Sequence, residues 1–504
     1  MEKSLFKFIW KYSKREQVIQ LLITLLTFPV LFATLELPKR IINDAIGGTG
    51  ENIVLLGISF TQIQFLILLC AAFFVAVVTN LVFKMRLNTM KGVLSERLLR
   101  RFRYQLITRV LQFPRPYFRN TSQGELVSMV TSEAEPMGGL MGDILSLPVL
   151  LTGQMLTILI FLFAQSFWFG MAAVALIPLQ AWIIPKMQRQ INLLNKKRTH
   201  EVRKLAADIG ETAAGVSDIR INGGLRYRMS MFSNRLGNLY DIRFEIYQKT
   251  FFMKFLNSLI NQLTPFFFYA VGGYLAIRGE ISVGALVAAL AAYKDMSSPW
   301  KELLAFYNQT QDMALRWEVV TERFAPKTLV DKHLLEGTPS TVENLKGDIE
   351  ISDVTVRDED GQPVLENINL TIPQGARVAV KADNETAALA FADLLTREVI
   401  PQRGSIRIAG HDLNSLHQVT LARAIGYAHS NPHILQGTLG ENLLMPFKNK
   451  PVDALAGDSG DNSFRSKAEQ SGNSIDPFHT QWIDPTIAGL ESSDEIQDLS
   501  LIHI

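Results

Sequence analysis

The sequence predicts a membrane-embedded all-α bundle of six helices, followed by part of an α/β cytoplasmic domain. Three observations carry that prediction. Apolar runs of spanning length recur through the first two thirds of the 504 residues. Lysine and arginine crowd into alternate loops between those runs. After residue 345 the pattern changes from helical spacing to short alternating segments punctuated by turns.

A membrane span needs about 20 mostly apolar residues to cross the hydrocarbon core. Residues 18–37, 60–83, 144–164 and 167–184 meet that requirement, and two weaker runs follow at 259–277 and 283–293. The last continues at helical spacing through Leu303 and Phe306. The first run has a basic start, like a signal peptide, yet its apolar part is too long and contains Pro29. It reads as a retained helix. With 48% hydrophobic and 19% charged residues, the composition suits a membrane protein. A net charge of +2 gives no reason to invoke nucleic acid. One cysteine, Cys70, excludes a disulfide framework or a cysteine metal cluster.

Orientation follows from the cationic loops. Lys84, Arg86, Lys91, Arg97, Arg100, Arg101, Arg103, Arg109, Arg115 and Arg119 lie between the second and third runs. Lys186, Arg189, Lys196, Lys197, Arg198, Arg203 and Lys204 follow the fourth. The third and fourth are joined by Gln165 and Ser166, without charge. The N-terminus and the long loops are therefore expected in the cytoplasm of a bacterial-type inner membrane. Residues 94–113 and 190–209 are amphipathic, so the spans should continue inward as helices. Glu36, Asp143, Lys84, Asn261 and Gln262 are polar within or beside the spans; interhelical hydrogen bonding, or snorkelling at helix ends for Glu36, Asp143 and Lys84, is the expected role, with a translocation-pathway role as the alternative for Asn261 and Gln262.

In the cytoplasmic part, residues 349–356 and 364–372 alternate as strands around an Asp360-Gly361 turn. Pro373-Gln374-Gly375 turns into 376–380, an apolar strand, and an apolar helix is expected at 387–395. Between strand and helix, a loop that cradles phosphate needs glycines, a lysine, and a serine or threonine for magnesium. Lys381-Ala382-Asp383-Asn384-Glu385-Thr386-Ala387-Ala388-Leu389 has no glycine and places Asp383 and Glu385 where an anion would sit.

Several segments together resemble an ATP-binding cassette (ABC) exporter with a type 1 transmembrane domain followed by a truncated, degenerate nucleotide-binding domain. The likeness runs over about residues 1–445. It rests on Tyr117-Phe118-Arg119-Asn120 with Gly124-Glu125-Leu126 and Ser128, on Glu211 through Gly215 to Asn222 and Phe232, and on Gly279 to Gly284 with Pro299. In the cassette it rests on Val364 to Ile368, Gly404-Ser405-Ile406, Gly410 to Leu413, Ile425-Gly426-Tyr427, Pro432 and Gly437 to Asn442. By resemblance, Gly124, Glu125, Gly215 and Asn222 would couple cassette closure to the helices. The phosphate-loop glycines fall on Ala382, Glu385 and Ala387, the lysine on Ala388, the magnesium-binding serine on Leu389 and the glutamine on Ser430. The adenine-stacking aromatic falls near Asp358. No catalytic residue and no metal ligand is thus assigned to this chain. ATP and magnesium are implied for the family and are expected on another cassette.

The expected domains are a transmembrane part at 1–325, a linker at 326–345, the first part of the cassette at 346–447, a disordered insertion at 448–478 rich in Ser, Gly, Asn and Asp, and the start of a helical subdomain at 479–498. Residues 499–504, Leu-Ser-Leu-Ile-His-Ile, match the translation of a common transposon adaptor, so the chain reads as a gene fragment running into adaptor. The resemblance implies a subunit or fragment of an ATP-driven exporter. Its partners would be membrane lipid, a second transmembrane domain and a catalytic nucleotide-binding domain, in trans or in a missing C-terminal part. The competing expectation is a non-transporting regulatory or scaffolding membrane protein that kept the fold.

Overall fold

The structure, a computed structural model, describes residues 2–47, 53–55, 58–121, 123–165, 167–175, 177–279, 282–326, 329–336, 345–358, 361–382, 384–428, 432–448, 451, 462–476, 478 and 480–483. The chain forms two compact units that interleave along the sequence. One comprises Arg15–Lys91 and Asp143–Gln311; the other comprises Met1–Lys14, Gly92–Gly142 and Asp312–Ile504. The first is mainly helical with a two-stranded hairpin, and the second carries a four-stranded sheet.

Helices α1 (Leu5–Arg40) and α2 (Gln62–Val110) flank a small antiparallel hairpin, β1 (Ile53–Leu55) with β2 (Ile58–Phe60). Short helices α3 (Tyr117–Asn120), α4 (Gln123–Ser128) and α5 (Ala134–Asp143) follow. Then come α6 (Ser146–Gln165), α7 (Phe167–Ala175), α8 (Ile177–Ala214), α9 (Val216–Ile221), α10 (Leu225–Phe267), a π-turn (Phe268–Gly272), α11 (Gly273–Ile277) and α12 (Val283–Arg323). Among the described residues, Leu5–Ile46, Gln62–Val110 and Ser146–Gln165 are helices long and apolar enough to cross a membrane. The fourth expected span falls on α7 and the start of α8, the fifth on the end of α10 through α11, and the sixth on the start of α12.

Within the helical unit, Ile158, Phe161 and Leu162 of α6 pack with Ala288, Ala289, Ala292, Tyr293 and Met296 of α12 and with Phe268. Phe32 and Leu35 of α1 lie against the same cluster. The alanine face of α12 lets large side chains from its neighbours fill the interior at close approach. Helices α8 and α10 form a long antiparallel pair: Glu211 meets Arg228, Glu201 meets Arg235, and Gln190 meets Lys249. Their apolar seam is Ile191 with Ile242 and Ile246. Asp143 forms an ion pair with Lys91 at 3.0 Å, and Glu36 lies near Lys39 and Arg40 of its own helix.

In the sheet-bearing unit, Phe8, Phe102 and Trp317 stack together, with ring centroids 4.6–5.8 Å apart. After α13 (Lys332–Leu335) come β3 (Ile349–Arg357), β4 (Pro363–Ile372), α14 (Glu385–Leu395), β5 (Arg403–Ile408), β6 (His411–Asp412), α15 (Gln418–Ala424), α16 (Leu439–Leu443) and α17 (Asn462–Ser471). The strand order is β4-β3-β5-β6, and every pairing is antiparallel. The β3–β4 hairpin closes with Gly361 at φ +82°, a conformation glycine adopts without strain. Its core is Ile351, Val354, Val356, Ile406 and Ile408 under Phe391 and Leu394 of α14.

Two expectations need correction. Residues 376–380 are not a strand: Val378 and Val380 are 52% and 50% exposed, and no described strand lies beside them. A strand apolar on both faces needs sheet neighbours and cover to persist, and here the sheet is antiparallel rather than the parallel core of an α/β cassette. The expected disorder at 448–478 is also interrupted by α17. Its Ala468 is buried, Phe464 lies under the Arg100 guanidinium of α2, and Arg101 donates to the Gln470 carbonyl. Polar composition hid this helix, whose anchors include Phe464, Ala468 and Ser471. The expected tail at 499–504 and nearly all of the expected helical subdomain lie outside the described residues.

Candidate functional site

The segment expected to hold the phosphate loop leads into α14. Asn384 is the N-cap, and its side-chain oxygen accepts from the Ala387 N–H at 2.8 Å. That takes a donor a bound phosphate would use. Ala382 and Glu385 are exposed, Ala387 is buried, and Ala388 and Leu389 are half-buried. Glu385 stands in the first turn, where its charge favours the helix dipole and opposes any incoming anion. The described lining offers phosphate no glycine approach and no lysine at the loop's end, and it offers magnesium no hydroxyl at Leu389. It does not fit Mg-ATP. Asp358 serves the hairpin instead, accepting from Gln362 N at 2.7 Å. Ser430 and Asp383 lie outside the described residues.

The far end of α14 holds a polar joint that sequence reading missed. Asp393 is 1% exposed on an otherwise apolar helix. Arg115 Nη1 donates to both its oxygens, at 2.7 and 3.0 Å, and the Tyr427 hydroxyl donates at 2.8 Å. Arg115 N also donates to the Glu398 carbonyl at 3.1 Å. Arg397, buried, reaches the Leu413 and Leu416 carbonyls and Gln418. Burial raises the Glu398 carboxyl above its ordinary value, and the charge of Asp393 adds to this while Arg115 and Arg397 oppose it. Tyr427 is raised as well, first by burial and then by its bond to Asp393. A lone aspartate within Ala-Phe-Ala-Asp-Leu-Leu was the available signal, because a buried carboxylate requires a partner.

Arg115 begins the segment that contains the first pair of predicted coupling residues. Glu125 of α4 receives Arg323, the last residue of α12, at 3.0 Å on each oxygen, and the Tyr117 hydroxyl donates to the Arg323 carbonyl at 2.6 Å. Gly124 is exposed beside it. A single segment therefore contacts the end of α12 through Glu125 and the end of α14 through Arg115. The second pair lies in the helical unit, where Gly215 and Asn222 bracket α9 as its N-cap and C-cap. Asn222 Nδ2 donates to the Asp218 carbonyl at 2.9 Å. No residue of α9 is buried, and Ile221 is 78% exposed.

The helical unit also contains a cavity of about 490 Å³ between α10 and α12, with Gln262 in its wall. The sequence offers this residue interhelical hydrogen bonding or, as the alternative, a place on a translocation pathway. The side chain of Asn261 lies outside what the structure describes.

The family model for the ABC transporter transmembrane region matches residues 21–298, more than half of the chain. An uncharacterized ABC transporter ATP-binding protein of Bacillus subtilis, YfiC, is 24% identical over 88% of this chain and 71% of its own. The transport/processing ATP-binding protein ComA of Streptococcus pneumoniae is 24% identical over 68% of this chain and 47% of its own. An ATP-dependent lipid A-core flippase of Alkalilimnicola ehrlichii is 23% identical over 71% of this chain and 60% of its own. The alignments thus span from about half to about seven tenths of these relatives.

Proposed function

The chain belongs to the ABC transporter transmembrane family, a multi-pass membrane family, and from that premise we propose that it is one half of an ATP-driven exporter whose own ATP site is degenerate. In this reading residues 1–325 supply six spans with the N-terminus in the cytoplasm and the long loops facing inward. Residues 346–447 are a cassette remnant, joined by the linker at 326–345. ATP and magnesium are bound and hydrolysed on another cassette, in a partner subunit or in a longer form of this chain. A second transmembrane domain completes the pathway across the inner membrane.

The observation that carries this reading is the joint at Arg115. Helix α14 starts at the altered phosphate loop and carries Asp393 in its last turn, where it grips the coupling segment. A remnant that merely persisted has no need to hold an arginine of that segment on a buried carboxylate. Gly124, Glu125, Gly215 and Asn222 would pass closure of the catalytic cassette to the helices. Glu125 would act through Arg323 at the end of α12.

Capping of the loop by Asn384 favours the second reading, a regulatory or scaffolding membrane protein without transport. The two readings separate on reconstitution of the native-length protein with its candidate partners. The exporter reading expects vanadate-sensitive, substrate-stimulated ATPase that falls in Arg115→Ala while basal hydrolysis persists. Absence of stimulated hydrolysis with every partner would leave the scaffold.

A further inference from the structure

Helix α17 sits on α2 against its own charge. It carries Arg465 and Lys467 against a single acid, Glu469, and the stretch of α2 beneath it holds Arg100, Arg101 and Arg103. Arg103 is balanced by Glu135 and by the Val130 and Thr131 carbonyls. The other two arginines meet neutral groups. Arg100 lies over the Phe464 ring, and with the Asn473 amide turned to accept, its Nε donates to that oxygen at 3.0 Å. Arg101 lies over the Tyr12 ring and donates to the Gln470 carbonyl. Among the described residues, no carboxylate pairs with Arg100, Arg101 or Lys467. Guanidinium groups at the C-terminal end of α17 suit its dipole. Lys467, in mid-helix, gains nothing from that dipole.

Between the two helices runs an open groove of about 800 Å³. Arg100, Arg103 and Tyr104 line it from one face of α2, and Lys467, Gln470 and Asn473 line it from α17 and the turn after it. The α17 rim is held in place: Gln470 donates to the Ser466 hydroxyl at 3.2 Å, and Asn473 is fixed by Arg100. Sites for small molecules run from about 300 to 1,000 Å³, so this groove has room for a solute of nucleotide size.

We propose that a soluble phosphate-bearing polyanion seats in this groove between Lys467 and Arg100 and fastens α17 to α2. A guanidinium fork and an ammonium are the side chains that best match phosphate oxygens. The two cations belong to different elements, so a ligand with several negative charges bridges them, whereas a single small charge satisfies one. The phenol of Tyr104 adds a donor beside them. Membrane lipid is the other source of phosphate, and position argues against it. Arg100 follows Lys84, at the expected end of the second span, by sixteen residues, which is about 24 Å of helix. Head groups extend only about 5–8 Å beyond the hydrocarbon on each side. That siting rests on the proposed orientation of α2; the charge argument does not.

The test follows hydrogen–deuterium exchange of residues 464–471 in the full chain, in phosphatidylcholine nanodiscs without magnesium, during titration with inorganic tripolyphosphate. A ligand that binds only the docked helix slows exchange there. A saturable slowing of about threefold or more is expected in α17, with none in β3–β4. It should vanish in Lys467→Glu and persist in Lys467→Arg; Lys467 is exposed, so neither change removes packing. No slowing, or equal slowing in Lys467→Glu, would overturn the proposal. Equal protection by sodium sulfate at matched ionic strength would reduce the effect to screening and overturn the site. Protection in phosphatidylglycerol nanodiscs without added solute would overturn the soluble source. No hydrolysis is read, so failure here leaves the exporter reading standing, and a failed ATPase reconstitution leaves this site standing.

Discussion

Arg115 and Asp393, 278 positions apart in sequence, form a buried ion pair in which one guanidinium nitrogen bridges both carboxylate oxygens. Asp393 keeps 2% side-chain exposure and Arg115 28%, so water screens the pair weakly on the carboxylate side. Removing only the arginine leaves an uncompensated buried charge, which costs about 3 kcal/mol. Arg115→Met is therefore expected to destabilise the protein by that amount. Arg115→Met combined with Asp393→Leu should recover most of the loss, because the stranded charge is gone. Thermal unfolding of the two single variants and the double variant in detergent checks this; equal losses in all three would contradict it.

Glu398 adds a pH dependence to the same joint. Its folded pKa lies above the ordinary glutamate value of about 4.3. A raised acid contributes stability that is fully present below the unfolded pKa and is lost as pH rises through the folded one. Glu398→Gln should therefore gain stability relative to the native protein at pH 8, and the gain should shrink as pH falls towards 4.5. Paired melting curves across that window measure the difference. A gain that grows on acidification would reverse the sign.

Much of this architecture was legible because it depends on pattern along the chain. The β3–β4 hairpin follows from alternation around a glycine turn, and the first three spans follow from apolar runs. The Arg115–Asp393 joint was not legible, because Arg115 counted only as one of ten cytoplasmic charges and its partner lay in a different element. The residues at 376–380 misled for a related reason. Apolar composition marks a strand only when partners exist to cover it, and none is described beside Val378 and Val380. At α17 a polar run concealed the anchors Phe464, Ala468 and Ser471. Pattern along the chain was readable from chemistry, whereas tertiary pairing was not.

Asn384 gives a prediction about the loop that precedes α14. As an N-cap its oxygen satisfies the Ala387 N–H, and replacing such a cap with alanine costs about 1 kcal/mol, with glycine a few tenths. Asn384→Ala should lower stability by that amount and Asn384→Gly much less. Neither variant should gain stabilisation from Mg-ATP, since ligand binding to the folded state alone would raise the melting temperature. A melting shift on adding millimolar Mg-ATP to the native chain would show that the loop accepts nucleotide despite its residues.

Gly153 tests how closely α1 and α6 must approach in the helical unit. A methyl group built on Gly153 would run into the Cζ, Cε1 and Cε2 atoms of Phe28. In a helix interior, alanine is intrinsically better than glycine by about 1 kcal/mol, so Gly153→Ala has two opposing effects. Overpacking against the ring costs about 1–3 kcal/mol, which outweighs the propensity gain. Gly153→Ala should thus destabilise the native protein by about 1 kcal/mol. With Phe28→Leu already in place the ring is gone and only the propensity remains, so the same substitution should stabilise by about 1 kcal/mol. The sign change between backgrounds is the diagnostic measurement, read from denaturant unfolding of the four proteins in detergent. Equal effects in both backgrounds would mean that Phe28 turns away at no cost and that the glycine is not needed for the approach of the two helices.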